Sequence, residues 1–412
     1  MSKNVIVIGG GVVGLAAAAA LVEAGHQVRV IAPLSDSQPA SWGNAGHIAV
    51  EQVEPLASRA AIRSVPRRLF WRGGALSLPV ASLATWLPFT LRLVRAAAPS
   101  RFEAGKTALR GLLAASLPAW RRLTQRMETP DLLREDGHFI LWEKHESALR
   151  GEAAWSAVDT GEAHFRRASV DELAHLGNLI LPKPADAIRF EGSAHIADLG
   201  LCLDALRRLV ERSGGEMRDG RASALASGPS GGVLVTLETG ECLEADHALL
   251  CAGARSSELM RPLGYHVPMI DERGYHVEAP VTAAQWPEHL PPIVFEDRQM
   301  IVTRFRDKLR AASFVELSRP GAPADPAKWQ RLEDHIAALG LPIGKDATRW
   351  MGSRPTLPDY LPAIGRCSRH PAIFHAFGHQ HLGLTLAAVT ADIVADMIAG
   401  KAPPPALSLD RF

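Results

Sequence analysis

Three glycines near the start of the chain, Gly9, Gly11 and Gly14, have the spacing of a turn that binds phosphate groups. An apolar run at residues 5–8 precedes them, and an alanine-rich helical pattern follows. Gly9 permits the tight turn, Gly11 lets the backbone approach the anion, and Gly14 lets the helix pack on the strand. Backbone N–H groups and the helix dipole would then face the anion. Because strand, turn and helix come in this order, the sequence predicts a bound dinucleotide rather than a turn that holds nothing.

The acidic residue that usually binds the adenosine ribose is missing from the end of the second predicted strand, residues 28–31. That position carries Ala32, and Ser35 or Asp36 is the candidate replacement. No basic cluster follows the strand, so a ribose phosphate is not favoured. The gap weakens a plain NAD interpretation more than an FAD interpretation, because FAD has an isoalloxazine ring that is held elsewhere.

Length and composition restrict the class of protein. The 412 residues are enough for two or three domains, and the formal net charge of +1 implies neither a nucleic-acid partner nor an acidic one. The chain opens directly into a core strand, and no uninterrupted apolar stretch is long enough to span a bilayer. We therefore expect a cytoplasmic protein, with the inner face of the membrane as a second location. The cysteines, which indicate reduced buried thiols, are Cys202, Cys242, Cys251 and Cys367.

The order of apolar patterns predicts an α/β protein with a discontinuous Rossmann-like domain and a second domain built on a mixed or antiparallel sheet. Residues 59–130 and 148–176 have helical patterns, whereas residues 41–58 lack periodicity and indicate a loop. We expect the dinucleotide-binding domain to comprise residues 1–58, 185–262 and 345–412. The substrate domain would comprise residues 59–184 and 263–344, with a helical insert near 59–130.

Further motifs occur in a fixed order along nearly the whole chain. They are Ser41-Trp42-Gly43-Asn44-Ala45-Gly46-His47, residues 245–253, Arg273-Gly274-Tyr275, Val302-Thr303-Arg304, Arg354-Pro355 with Pro358-Asp359, and Gly378-His379 with residues 382–385. Together with the glycine turn, these motifs resemble those of the FAD-dependent D-amino acid dehydrogenase and glycine oxidase family. Two of them, residues 44–49 and 378–381, are most similar to D-hydroxyproline dehydrogenase-like members.

The resemblance implies an FAD enzyme that oxidises a D-amino acid, with D-proline or cis-4-hydroxy-D-proline as the favoured substrate. A hydride would pass from the substrate α-carbon to flavin N5, and a quinone or a carrier protein would take the electrons. The alternatives are a glycine- or sarcosine-type oxidase that uses oxygen, and a flavin subunit of a larger dehydrogenase. The implied FAD contacts are Gly9, Gly11, Val12, Val13, Gly14, Ser41, Asn44, Ala45, Gly46, His47, Ala252, Gly253, Gly378, His379, Leu382, Gly383, Leu384 and Thr385.

Two arginines and one tyrosine are the candidates for binding the substrate carboxylate. Arg304 is the first choice, because a guanidinium grips a carboxylate bidentately and an unpaired arginine in an apolar strand would be costly. Arg354 is the second choice, and Tyr275 could donate a hydrogen bond to the carboxylate or line the pocket. The structural alternatives are an ion pair for Arg304, a brace of the fold for Arg354 and a core tyrosine for Tyr275.

Three histidines, His47, His379 and His381, are the polar groups nearest the inferred flavin. Any of them could accept the amine proton, hold a ring hydroxyl or stabilise the reduced flavin, although a single histidine is more often structural. The three histidines lie in two different loops that would face the flavin, and this placement favours a functional role for the group. We expect no metal site, because His379 and His381 are two residues apart on a turn without a ligand cluster beside them.

Residues 62–101 combine basic residues with large apolar ones. One hypothesis is a peripheral contact with the membrane surface that delivers electrons to a quinone. The alternative is an amphipathic helical insert that packs on the substrate domain. The residues concerned are Arg63, Arg67, Arg68, Arg72, Arg92, Arg95 and Arg101, together with Trp71, Trp86 and Phe89.

Overall fold

The predicted βαβ unit opens the fold in the computed structural model, which describes residues 2–34, 38–228, 231–344 and 346–412. Ser35 and Asp36 lie outside the described residues. The helices are α1 Val12–Glu23, α2 Arg59–Arg68, α3 Leu83–Ala96, α4 Pro99–Arg126, α5 His145–Ser156, α6 Val170–Leu179, α7 Leu199–Arg212, α8 Ser256–Met260, α9 Pro326–Ala338 and α10 Gly383–Ile398. The strands are β1 Asn4–Ile8, β2 Gln27–Ala32, β3 His47–Ile48, β4 Leu76–Ser77, β5 Leu133–Arg134, β6 His138–Trp142, β7 His164–Arg167, β8 Asp186–Glu191, β9 Ala194–Ile196, β10 Glu216–Asp219, β11 Ala222–Ser227, β12 Val233–Leu237, β13 Cys242–Ala245, β14 His247–Leu250, β15 Ile270–Pro280, β16 Ile293–Phe295, β17 Met300–Phe305, β18 Lys308–Ser318, β19 Thr348–Thr356, β20 Ala363–Arg366 and β21 Ile373–Phe377.

A mostly parallel sheet with the strand order β10-β2-β1-β14-β21-β20 forms the dinucleotide-binding half. Only its edge pair, β20 and β21, is antiparallel. The apolar run of β1 is buried on both faces: Val5 and Val7 face a core that includes α1 and α10, whereas Ile6 and Ile8 face the small sheet β11-β12-β13. This two-sided burial explains why the strand is continuously apolar rather than alternating. The predicted α/β fold class is confirmed.

A larger mixed sheet has the strand order β19-β15-β18-β17-β16-β6-β8-β7, with β4 paired to β18. Its longest strands, β15 and β18, run antiparallel and are interrupted by an irregular register between Arg273 and Tyr275. Two strands of this sheet, β8 and β19, fall in segments that the sequence assigned to the dinucleotide-binding domain. The expected boundaries at residues 185 and 345 are therefore wrong, because β8 pairs with β6 and β19 pairs with β15. The division into two domains stays a prediction.

The segment predicted to be helical at residues 59–130 contains α2, α3 and α4. The helical prediction for residues 148–176 is wrong in part, because the edge strand β7 lies between α5 and α6 and pairs with β8. A small sheet, β3-β9-β5, brings His47 at the start of β3 opposite His195 of β9. This small sheet therefore positions one of the predicted site histidines.

Among the described residues, one helical stretch, Gln380–Ile398, is long and apolar enough to cross a membrane. Most of it, 61%, is buried inside the protein, where α10 packs against α1 and α4. Helices in the core of a globular domain pass the same test of length and composition, so its apolar character follows from this packing.

The buried histidine of β21 gives a test of the core. Burial lowers the pKa of His375 to about 3, so the folded state keeps the ring neutral where the unfolded chain, near pH 6.5, begins to take up a proton. Below pH 6.5 the unfolded state then binds more protons, and the free energy of unfolding should fall by up to about 1.4 kcal/mol per pH unit from this group. We expect His375→Gln to flatten the decline in urea-unfolding free energy between pH 6.5 and pH 4. An unaltered slope in His375→Gln would contradict the prediction.

Candidate active site

A cavity of about 1220 Å³ lies between the parallel sheet and the mixed sheet. One wall comes from the turns that follow β1, β14 and β21, and the opposite wall comes from β15, β17, β18 and β19. The carboxyl ends of parallel strands are where doubly wound sheets bind ligands. The cavity is therefore a candidate cofactor and substrate site.

The glycine turn closes against the backbone after β14. Gly9 has a φ of +121°, and a Cβ atom there would lie 2.3 Å from the carbonyl oxygen of Cys251. A Cβ atom on Gly14 would lie 2.0 Å from the carbonyl oxygen of Gly9. Helix α1 begins directly after Gly11, which gives it no side-chain cap, and Val12 N–H donates to the hydroxyl of Ser41 at 3.2 Å. The helix N-terminus thus faces the cavity as a binding site for phosphate.

Three arginines line the cavity together with Ala32 and Gly220, at the end where the adenosine part of a dinucleotide would lie. They are Arg207 of α7, Arg221 before β11 and Arg255 after β14. Sequence reasoning missed them, because they come from three separate elements and form no local cluster. They place positive charge near the position where the ribose-binding acid is absent, and guanidinium groups are well suited to phosphate oxygens.

The loop at residues 41–47 is held by side chains of the mixed sheet. Arg310, which is 5% exposed, donates to the carbonyl oxygens of Trp42 at 2.9 Å and Asn44 at 2.6 Å, and it pairs with Glu278 at 2.7 Å. Thr303 donates to the carbonyl oxygen of Ala45 at 2.8 Å. Burial alone would raise the pKa of Glu278, but Arg310 holds it below its usual value. The sequence analysis did not predict this ion pair of Arg310 and Glu278 either, because no local sequence pattern distinguishes the two residues.

The turn after β21 leads into α10 at the cavity wall, and Gly383 and Leu384 line the cavity. The N-terminal N–H groups of α10 therefore approach the cavity, which suits the electron-rich pyrimidine end of a flavin. His379 is buried, its Nε2 lies 3.1 Å from the Thr390 hydroxyl, and burial lowers its pKa to about 3. Thr385 accepts a hydrogen bond from Ala49 N–H at 3.0 Å. It anchors the loop after β3 to α10 and does not line the cavity.

His381 and Gln52 form a polar pair on the cavity wall. The Nε2 atom of His381 lies 2.5 Å from Oε1 of Gln52. Because a carboxamide oxygen only accepts, Nε2 carries the proton and Nδ1 is left as an acceptor. Burial, with a further contribution from Arg354, lowers the pKa of His381 to about 3, so the ring is neutral near pH 7.

Arg304 does not reach the cavity. Its guanidinium donates to the carbonyl oxygens of Arg306 at 3.1 Å, Thr282 at 3.0 Å and Trp286. These hydrogen bonds offset the free-energy cost of burying a charged guanidinium in an apolar strand. The prediction that Arg304 clamps a substrate carboxylate is therefore wrong, because its donors are used by a turn of the backbone.

Tyr275 lines the cavity, but its hydroxyl points away into the core. The hydroxyl donates to Glu316 at 3.2 Å and accepts from Asp325 N–H at 3.1 Å, and the ring packs edge-on against Trp329. The prediction that the hydroxyl binds the substrate carboxylate is contradicted by these contacts. Tyr275 fills the wall of the pocket, which was the second part of that prediction.

Of the two arginines predicted to bind a substrate carboxylate, Arg354 is the one that lines the cavity, where Arg67 and Arg68 of α2 also lie. Its side chain is 29% exposed, and Nη1 donates to the carbonyl oxygen of Phe314 at 3.1 Å and lies 3.5 Å from the buried carboxylate of Glu272. Phe314 adopts a φ of +74°, an uncommon conformation for a residue with a side chain. Glu272 is fixed in turn by the hydroxyl of Tyr360 at 3.0 Å. One side of the guanidinium is thus held in place while the rest faces the cavity.

Gly274 makes room for this arginine. A Cβ atom on Gly274 would lie 2.3 Å from Nη2 of Arg354. We expect Gly274→Ala to displace the guanidinium and to raise KM for a carboxylate substrate about tenfold, with a smaller effect on kcat. Steady-state kinetics measure both constants. Gly111→Ala on α4, where an added Cβ meets nothing within 4 Å, is the control, and equal KM values in the two variants would contradict the prediction.

The cavity thus brings together most of the residues predicted from the sequence. The catalytic candidates that line it are His47, His379, His381, Tyr275 and Arg354. The predicted residues that do not line it are Gly46, Leu382, Thr385 and Arg304. The glycine turn, the α1 and α10 N-termini and the arginines near Ala32 fit the pyrophosphate, flavin and adenosine parts of FAD.

Comparison with known proteins agrees with this arrangement. The chain is 31% identical over 418 residues to a D-amino-acid oxidase of Bradyrhizobium diazoefficiens, an alignment that covers 97% of this chain and 96% of the relative. It is 30% identical over 420 residues to D-amino acid dehydrogenase 2 of Pseudomonas aeruginosa, covering 98% and 96% of the two chains. The fold is also that of L-proline dehydrogenase from P. horikoshii, with a TM-score of 0.73, 14% identity, and coverage of 100% and 98%.

The family described as FAD dependent oxidoreductase matches residues 4–397, which is nearly the whole chain. The match spans both sheets and includes every segment that lines the cavity up to Leu384. Since the glycine cradle and both helix N-termini also suit the cofactor, the chain belongs to the DAO family of FAD-dependent oxidoreductases.

Proposed function

We propose that this enzyme oxidises a D-amino acid, that D-proline or cis-4-hydroxy-D-proline is the favoured substrate, and that a quinone or a carrier protein receives the electrons. Two relatives at 31% and 30% identity over nearly the whole chain are named for D-amino acid oxidation or dehydrogenation. The observation that carries the proposal is the position of Arg354, which lines the same cavity as the neutral His381 and helps to lower the pKa of that histidine.

The protein's part in this reaction is to orient the substrate. Bound FAD would supply the hydride acceptor. Arg354 binds the carboxylate, and its planar fork fixes the direction of the α-carbon. Nδ1 of His381 accepts a hydrogen bond from the amine or from a ring hydroxyl, while Gln52 holds the imidazole in that orientation.

Anaerobic reduction of the bound flavin tests the substrate. The holoenzyme is mixed separately with cis-4-hydroxy-D-proline, D-proline, D-alanine, sarcosine and glycine, and bleaching of the visible flavin band is followed in a stopped-flow instrument. Fastest reduction by a D-imino acid supports the proposal. Fastest reduction by glycine or sarcosine would overturn the substrate assignment, and reduction by none of the five would favour a subunit that needs a partner.

The electron acceptor is tested with the same holoenzyme during turnover. Oxidation of the reduced flavin by a short-chain quinone, at a rate well above that in air-saturated buffer, supports the dehydrogenase proposal. Stoichiometric peroxide formation in air would instead identify an oxidase.

The helical insert supports a contact with the membrane that holds such a quinone. Residues 59–101 contain eight arginines and no acidic residue. Helix α3 presents an exposed apolar stripe, and Val80 and Trp71 of the same insert are 85% and 74% exposed. Basic residues beside exposed apolar ones suit an anionic lipid surface. The stripe consists of Leu83, Leu87, Leu91 and Val94.

Co-sedimentation with vesicles tests this contact. We expect the protein to pellet with vesicles that contain phosphatidylglycerol and to remain in solution with pure phosphatidylcholine. The double variant Leu87→Glu/Leu91→Glu should remain in solution with both. A protein that binds neither kind of vesicle, or a variant that binds as the parent does, would refute the membrane contact.

A further inference from the structure

Three side chains, one of them in the cavity wall and two behind it, form a group with the chemistry of metal ligands. His47 at the start of β3, Glu51 four residues later and His138 at the start of β6 each direct one ligand atom toward the others, and these atoms lie within 4.8 Å of one another. Nε2 of His47 is 3.6 Å from Oε1 of Glu51. The rings of His47 and His138 meet edge to face at 4.4 Å between centroids.

The group is buried and incompletely bonded. The side chains of His47 and Glu51 are 10% and 1% exposed, and His138 is 2% exposed. Within the described part of the chain, neither Nε2 of His47 nor Oε2 of Glu51 has a hydrogen-bond partner. A buried polar atom without a partner costs free energy, so these two atoms are available to a bound ligand.

Contacts with neighbouring side chains fix the orientation of His138, the third candidate ligand. Nδ1 of His138 is 2.9 Å from the hydroxyl of Ser193, and the ring stacks on Phe190 at 4.7 Å with an interplanar angle of 3°. When the Ser193 hydroxyl accepts from Nδ1–H, the other ring nitrogen is left as a ligand, and such a hydrogen bond is the usual support of a metal-binding histidine. His47 also lines the cavity, which gives an ion a route inward.

We propose that His47, Glu51 and His138 bind a divalent transition-metal ion, and that the ion is Zn²⁺. Zinc takes imidazole nitrogen and carboxylate oxygen at about 2.0–2.2 Å, and two histidines with one glutamate are an established ligand set for it. Tetrahedral ligands at that distance are about 3.4 Å apart, close to the 3.6 Å between His47 and Glu51. A small inward movement of His138 completes the set. This inference is independent of the proposed substrate.

Metal content tests the site in the FAD-loaded protein. The holoenzyme is stripped with a chelator, incubated with excess ZnCl₂, passed through a desalting column and analysed by plasma mass spectrometry. We expect about one zinc per chain, and a higher thermal midpoint with Zn²⁺ than with Mg²⁺, since Mg²⁺ prefers oxygen ligands. Glu51→Gln and His138→Asn should each reduce the retained zinc at least tenfold.

An exposed pair provides the matched control. His164 and Glu191 also lie as a histidine–glutamate pair, with Nε2 to Oε2 at 3.1 Å, but on the surface. His164→Asn should retain zinc as the parent does. Circular dichroism identifies any variant that does not fold, and Glu51→Asp then replaces Glu51→Gln with an expected partial retention. Less than a tenth of an equivalent of zinc in the parent, or full retention in both Glu51→Gln and His138→Asn, would overturn the proposal.

Discussion

Arg354→Met should lower kcat/KM for a D-amino acid about a hundredfold while leaving the visible spectrum of the bound flavin unchanged. The guanidinium faces the cavity, and removing one partner of a hydrogen-bonded charge pair in a desolvated site costs about 2–5 kcal/mol. Each 1.4 kcal/mol of that cost is a factor of ten. Steady-state kinetics with D-proline measure the loss, and anaerobic titration gives the affinity for the substrate separately.

Comparison with a substrate that has no carboxylate tests whether Arg354 acts through the carboxylate group. The parent enzyme should prefer D-proline strongly over pyrrolidine, and Arg354→Met should lose most of that preference because only D-proline offers a carboxylate. Arg349→Met is the matched control on the same strand, since Arg349 pairs at the surface with Glu333 at 2.7 Å. The role given to Arg354 fails if its variant stays within threefold of the parent, or if both substrates lose rate equally.

Arg310→Met should unfold at lower urea concentration and should lose FAD during purification. The change leaves the carboxylate of Glu278 buried without its main partner, which costs about 3–5 kcal/mol. It also removes the two hydrogen bonds that Arg310 donates to the loop at residues 41–47. Urea unfolding of the apoprotein measures the first effect, and the ratio of flavin to protein absorbance measures the second.

The two effects can be separated with a second substitution. Arg310→Met/Glu278→Leu removes the unpaired charge and should recover much of the unfolding free energy, but not the FAD occupancy, because the loop contacts remain absent. Arg29→Met is the control, since Arg29 and Glu216 pair at the surface and such pairs contribute at most about 1 kcal/mol. Full recovery of FAD occupancy in the double variant would show that the loop does not depend on Arg310.

Local patterns were sufficient for the parts of the fold that have a strict period or a strict turn. The strand and glycine turn at residues 4–14 are predictable because burial on both faces and the +121° φ of Gly9 restrict the residue types directly. The edge strand β7 was not predictable. Its residues are mostly exposed and charged, so it has no apolar alternation that separates it from the helices on either side.

The choice between two arginines illustrates the limit for the site. Arg304 and Arg354 both lie in strands of the mixed sheet, and the sequence offers no local difference that decides between them. The decision is made by distant backbone: the turn at residues 282–286 takes the donors of Arg304, whereas Gly274 leaves space for Arg354. The cluster of His47, Glu51 and His138 has the same origin, since His47 lies in the small sheet and His138 in the mixed sheet, and only the packing of the two sheets brings them together.

The parallel sheet has a consequence for biosynthesis. Val5 of β1 pairs with His247 of β14, and Ala248 of β14 pairs with Ile373 of β21. Contacts so far apart in sequence form slowly, and a chain growing on the ribosome cannot make them until both strands have emerged. The glycine turn is translated within the first fifteen residues, yet its supporting carbonyl, that of Cys251, arrives some 240 residues later. The glycine turn therefore gains its full support only after more than half of the chain has been synthesised, and until β14 emerges the nascent β1 strand has only β2 as a neighbour in the sheet.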